Sequence, residues 1–321
     1  MPIKFISLFI VTVMSTFIVT GVGRYLSLRL NVLNAKNISH TGGIAIGLVF
    51  IAVGIFTGFL TWGLTIALIL MLVFGILDDW RELSVSAKLI LQIACASILV
   101  YSGIRTHIVF IGDFLNILIT FIWIIGVTNA INHLDIQDGL AGGIGLIISG
   151  AFFVLAIMGN DIGSATVSLA LLGSLAGFLP YNWPNAKVYL GNTGSHLLGF
   201  ILALIALNIS YATMDRKFAL LAPLFILGFP ILDTLFLITA RVKKGKSALL
   251  KSNDHLVLRM LKAGFSKNKA LFVMLSLVIV FAVCGVLIAK VTNLFSAILL
   301  MVLAFICFWV FKLMGRVNID G

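Results

Sequence analysis

Residues 270–289, ALFVMLSLVIVFAVCGVLIA, run for twenty positions without a charged side chain. Wound as an α-helix, such a stretch is about 30 Å long, the thickness of a bilayer's hydrocarbon core. Comparable apolar runs recur near residues 5–22, 43–60, 62–77, 87–104, 114–128, 139–158, 163–180, 196–212, 218–240 and 294–311, which predicts eleven spans. Composition agrees. Of 321 residues 61% are hydrophobic and only 10% charged, with a mean hydropathy of +1.19, whereas a soluble domain carries about a quarter charged residues. Backbone groups in lipid must be satisfied within the segment, and runs of this length do so as helices. The expected fold is therefore an all-α integral membrane protein, a polytopic bundle of about ten to eleven helices forming one domain over residues 1–321, with its chemistry on cytoplasmic loops. The first run has only Lys4 ahead of it and no small-residue cleavage site, so it is expected to be a retained helix. Cys95, Cys284 and Cys307 fall inside predicted spans and are expected to be small buried hydrophobes, not a disulfide or metal set.

Orientation follows from the basic residues. With alternate loops on opposite sides, one face collects seventeen of the 22 Lys and Arg residues, including Arg24, Arg29, Lys36, Arg81, Lys88, Lys187 and a dense group from Arg241 to Lys269. The opposite face holds Lys4, Arg105, Arg216, Lys217 and Lys290. The richer face is expected to be cytoplasmic. The formal charge of +11 then reflects one surface against anionic lipid or substrate, and nothing resembles a nucleic-acid reading element.

Eleven acids serve the whole chain, so their positions are informative. Asp78 and Asp79 end the third run in GILDDWRELSVSAK, and Asp135 and Asp138 follow the fifth in NAINHLDIQDGLAGG, on the same face. Adjacent carboxylates at a membrane boundary repel one another unless a cation offsets them. A single DD pair equally suits a solvated loop end. Two clusters on one face favour a metal or phosphate site, and an oxygen-rich set suits a hard ion such as Mg²⁺, with Mn²⁺ as substitute. Asn129 and Asn132 lead into the second cluster and supply neutral amides for the carboxylates or for a sugar or uridine. In GNTGSHLLGF, Gly191, Asn192, Gly194 and Ser195 open a helix where backbone N–H groups can meet an anion, although an ordinary helix cap looks similar. The basic loop continues into HLVLRMLKAGF, whose LVLRMLKAGF part could lie on the membrane surface and where His255 and Arg259 stand four apart, on one helical side. His255 and Arg259 are candidate substrate-binding residues, and the loop's Lys and Arg could attract a nucleotide sugar or a lipid head group, although topology alone explains most of its charge.

The order DD…K, then N-x-x-N-x-x-D-x-x-D-G-L-A, then G-x-x-G-S, then a basic loop with H-L resembles the polyprenyl-phosphate N-acetylhexosamine-1-phosphate transferases over residues 20–270, and within them the N-acetylglucosamine-1-phosphate branch. NISHTGG at 37–43 and PILDTLFLITARVKKGKS from Pro230 are similar to further family segments. The resemblance implies Mg²⁺-dependent transfer of a sugar-1-phosphate from a UDP-sugar to undecaprenyl phosphate, with release of UMP, at the bacterial inner membrane. It implies a start to cell-surface polysaccharide synthesis and a homodimer. It further implies Asp78 and Asp79 as metal or lipid-phosphate residues, with Asn192 at the third metal position, Asp135 and Asp138 in catalysis and nucleotide binding, and Lys88 on the phosphates. Three positions depart from the family pattern: Asn192 replaces the acid of G-D-x-G-S, His255 alone remains of H-x-H-H, and Ile136 follows Asp135 where the family has Gly. A neutral amide supplies an oxygen but no charge, so weaker metal binding is expected. The alternative is a non-catalytic membrane relative that binds lipid phosphate or a partner; transport would require polar groups at mid-membrane depth.

Overall fold

The computed structural model describes residues 2–35, 37–211, 216–243, 245 and 254–317. Lys36, Lys244 and residues 246–253 of the basic loop therefore lie outside the described residues. The chain divides into two compact units, residues 1–209 and 210–321.

In the first unit, α1 (Pro2–Leu30) leads to a short antiparallel hairpin, β1 (Asn34–Ala35) with β2 (Ile38–Ser39), and then α2 (Gly42–Thr57). There follow α3 (Trp62–Trp80), α4 (Val85–Tyr101), α5 (Asp113–His133), α6 (Leu140–Met158), α7 (Ile162–Asn182) and α8 (Gly191–Asn208). Several helix starts are capped by side chains whose oxygen accepts from a first-turn N–H: Thr61 accepts from Leu64 N, Ser84 from Ala87 N and Asp161 from Ser164 N. Helix α8 is the axis of the unit. Its LLGFILALIA stretch is apolar on every side, and each residue from Thr193 to Ala206 is buried, against α2, α3, α5, α6 and α7.

The second unit opens with a 3₁₀ turn (Lys217–Leu221) and α9 (Ala222–Ile226), followed by α10 (Gly228–Lys243), α11 (Leu256–Lys262), α12 (Lys267–Ile288) and α13 (Asn293–Gly315). Residues 217–226 and 228–242 meet at a bend of 71°, so the expected ninth span is not one straight helix. Helix α11 does not lie out on a surface: Leu256, Val257, Arg259 and Met260 are buried, and it packs against α12 and α13.

Each of the eleven apolar runs contains helix among the described residues. Among the described residues seven helices are long and apolar enough to cross a bilayer alone, and the bent pair would make an eighth. Helices α2 and α4 have 16 and 17 residues, and α8 begins with a polar turn, so length and apolarity support fewer crossings than the eleven expected. The polytopic all-α class stands.

Candidate active site

The C-terminal ends of α3, α5 and α7 and the N-terminal ends of α2, α4, α6 and α8 belong to one end of the first unit, and the expected acids gather there. Asp78 and Asp79 are neighbours on the last turn of α3, and successive helical residues point about 100° apart. They consequently serve different partners. Asp78 turns inward, with its side chain fully covered: Oδ2 is 2.6 Å from Lys88 Nζ, and Oδ1 accepts from Leu83 N at 2.8 Å. Asp79 turns to α8. It accepts from Asn192 N at 2.7 Å, Thr193 N at 3.0 Å and Thr193 Oγ1 at 2.6 Å. The helix start expected to receive a substrate phosphate thus has its first free N–H groups on a carboxylate of the chain itself, where the helix dipole favours negative charge.

Gly191 makes that approach feasible. Its φ is +75°, and a Cβ there would stand 2.7 Å from Asp79 Oδ2. The preceding strand-like segment is held by the NISHTGG loop: Tyr189 N donates to Ser39 O at 2.7 Å, and Gly42 N and Gly43 N donate to Tyr189 O and Leu190 O. The loop's part here is to seat the residues before GNTGS.

Asn129 and Asn132 lie within α5, which continues to His133, and not in a lead-in loop. Asn132 Nδ2 donates to Ser195 Oγ at 2.8 Å and meets Asn192 Oδ1 at 3.4 Å, so α5 and α8 are joined by neutral groups at the point where an acid was expected. Asn129 pairs with Gln92 of α4, deeper in the unit. Asp135 and Asp138 occupy the turns between α5 and α6, not a common helix face. Asp138 accepts from Ala186 N at 3.1 Å, which ties this turn to the α7–α8 connection. Asp135 is half-buried. Desolvation first, then the charges of Asp79 and Asp138, push its carboxyl up to about 7.

The part of that rise that comes from Asp79 and Asp138 is carboxylate repulsion, of the kind a hard divalent cation relieves. The donors that fit such an ion are the carboxylates of Asp135 and Asp138 and the amide oxygen of Asn192. Asp78 and Asp79 fit less well, both oxygens of each being committed. As placed, no three His, Cys, Asp or Glu side chains among the described residues close on a common point.

His255 and Arg259 belong to the second unit. His255 Nδ1 lies 2.8 Å from Asp233 Oδ2, and Asp233 Oδ1 accepts from Leu256 N at 3.0 Å. Arg259 pairs with Asp254 at 2.7 Å, donates to the carbonyls of Met314 and Val317, and stacks over Phe236 at 5.0 Å. Its guanidinium is a clamp for α11. Two residues of the first unit escaped the sequence reading altogether. Gln92 and His196 are buried polar groups beneath the acidic end, and the available signal was a His and a Gln interrupting apolar runs.

Residues 61–210 match the profile of glycosyl transferase family 4. Along 98% of its length the chain is 28% identical to a probable undecaprenyl-phosphate N-acetylglucosaminyl 1-phosphate transferase of Bacillus subtilis, covering 94% of that protein. It is 34% identical to the decaprenyl-phosphate N-acetylglucosaminephosphotransferase of Mycobacterium leprae over 61% of the chain, spanning only 56% of that relative. A phospho-N-acetylmuramoyl-pentapeptide-transferase of Shouchella clausii is 34% identical over 52% of the chain and 59% of its own length. The matched stretch contains α3 to α8, and with them both acid clusters, Lys88 and the GNTGS turn, so the likeness to glycosyl transferase family 4 falls on the part of the chain that holds the candidate site.

Proposed function

We propose that the protein transfers a sugar-1-phosphate, of the N-acetylhexosamine class, from a UDP-sugar to undecaprenyl phosphate at the cytoplasmic face of a bacterial inner membrane. The observation that carries this reading is the gathering of Asp79, Asp135, Asp138 and Lys88 at one end of a bundle whose relatives are named for that chemistry. In the reaction an oxygen of the lipid phosphate forms a bond to the phosphorus that bears the sugar. The bond from that phosphorus to the bridging oxygen breaks, and UMP leaves. Little covalent work falls to the protein in such a transfer; positioning and charge neutralisation dominate.

Lys88, with its side chain 18% exposed, offers its ammonium to phosphate oxygens. Asp79 keeps the start of α8 in shape, and Asp135 and Asp138, with the amide oxygen of Asn192, are the groups that would hold the metal ion of the nucleotide's diphosphate. Mg²⁺, when bound there, would neutralise the diphosphate and so ease departure of UMP. Purified protein given labelled UDP-N-acetylglucosamine and undecaprenyl phosphate should form labelled lipid with Mg²⁺ and none with EDTA. No product from a panel of UDP-sugars, in folded protein that still binds lipid phosphate, would favour the non-catalytic relative to which Asn192 points.

A further inference from the structure

Beneath the acidic end, polar side chains of the first unit form a series of contacts that finishes in an unused donor. Asn129 Nδ2 donates to Gln92 Oε1 at 2.8 Å, and Gln92 Nε2 donates back to Asn129 Oδ1 at 3.2 Å. The same Gln92 Nε2 is 3.5 Å from His196 Nδ1. An amide nitrogen has only hydrogens to offer, so Nδ1 is the accepting nitrogen and the ring proton sits on Nε2. That Nε2 is buried without a hydrogen-bond partner, on a side chain with no exposed surface, and it lies 3.7 Å from Asp78 Oδ2. Phe74 lies against the ring, with centroids 5.0 Å apart, and helps to fix its orientation. Asp78 Oδ2 is meanwhile held by Lys88 at 2.6 Å, and of these three side chains only Lys88 reaches the surface.

A buried N–H is seldom left idle, and a buried carboxylate stripped of its cation is strongly unfavourable. Lys88 cannot serve a phosphate fully while it serves Asp78. We propose that His196 is a positioning residue, the reserve partner of Asp78: when Lys88 turns to an anionic phosphate, His196 Nε2–H closes onto Asp78 Oδ2. The exchange moves no proton and breaks no covalent bond. It frees the Lys88 ammonium while the carboxylate keeps a donor. The identity of the anion rests on the function proposed above; the exchange itself rests only on Asp78, Lys88 and His196.

The test is a double-mutant cycle on thermal stability, with the full chain in detergent and no substrate. His196→Leu should lower the melting temperature modestly while Lys88 is present, and roughly twice as far or more in Lys88→Met, where Asp78 has no other charged or ring partner. Asp78→Asn should abolish the difference. Additive losses would overturn the proposal. Should the double variant fail to fold, His196→Gln in Lys88→Met decides: a retained side-chain N–H should recover most of the stability, and failure to fold here too sinks the idea. In a second arm, Kd is measured separately for undecaprenyl phosphate and for UMP. His196→Leu should weaken whichever anion Lys88 serves by about tenfold. Unchanged Kd values for anions that the wild type binds would also overturn the exchange. Binding of neither anion by the wild type would count against the proposed function alone, and the stability cycle would still decide the exchange.

Discussion

Replacing Asp79 with alanine removes the anion at the start of α8. Three contacts disappear, from Asn192 N, Thr193 N and Thr193 Oγ1. Loss of a helix cap costs about 0.5–2 kcal/mol. Thr193 is fully buried, so its N–H cannot turn to water, and an unsatisfied buried donor costs about 1–3 kcal/mol. Some of this is returned, because one negative charge leaves the neighbourhood of Asp135. The net expectation is about 2–4 kcal/mol, a drop on the order of 5 °C for a chain of this size. Asp79→Asn keeps one acceptor of nearly the same shape and should lose about half as much. A convenient assay is thermal unfolding in detergent followed with a thiol-reactive dye, since Cys95 is fully buried. Equal melting temperatures for wild type and Asp79→Ala, within about 1 °C, would refute the capping role.

Other expectations concern neighbouring groups. A Cβ on Gly75 would stand 2.3 Å from Thr193 Cα, so Gly75→Ala should force α3 and α8 apart, cost about 1–3 kcal/mol, and abolish transfer even where the protein still folds. Asp135, raised to about 7, gives metal-free protein a stability contribution fully present below about pH 4 and lost as pH rises towards 7. By the same linkage Mg²⁺ must displace that proton, so Mg²⁺ affinity should fall about tenfold per pH unit below 7 and level off above it. Equal affinity at about pH 6 and about pH 8 would remove Asp135 from the ion's surroundings. Asn192→Asp adds an acid beside Asp79 and should tighten Mg²⁺ binding while lowering metal-free stability, both measurable by melting with and without the ion. Arg259→Met should destabilise α11 by about 2 kcal/mol by removing the ion pair to Asp254 and the bonds to the carbonyls of Met314 and Val317; the loss should appear as earlier melting without a change in KM.

The helical, membrane-crossing class was legible because its signal is repeated along the chain. The acids were legible for the opposite reason, being few. What sequence could not divide was the labour between Asp78 and Asp79: adjacent letters turn about 100° apart on a helix, one toward Lys88 and the other toward α8. Asn129 and Asn132 looked like loop residues because amides usually end an apolar run. Tertiary partners, Gln92 and Ser195, let α5 carry them onward to His133. Arg259 looked available because long cations usually reach solvent. Only the fold brings Asp254, Phe236 and the end of α13 around it. His196 stood in plain view within GNTGSHLLGF, and its importance became visible only with Asp78 3.7 Å away.

The most direct measurement is mass-spectrometric detection of the sugar-bearing lipid diphosphate formed from undecaprenyl phosphate and UDP-N-acetylglucosamine with Mg²⁺, comparing wild type with Asp135→Asn. Product from the wild type, reduced by at least about a hundredfold in a folded Asp135→Asn variant, is the expected result. Equal product from both proteins would contradict the assignment of the acidic end of the first unit as the place where transfer occurs.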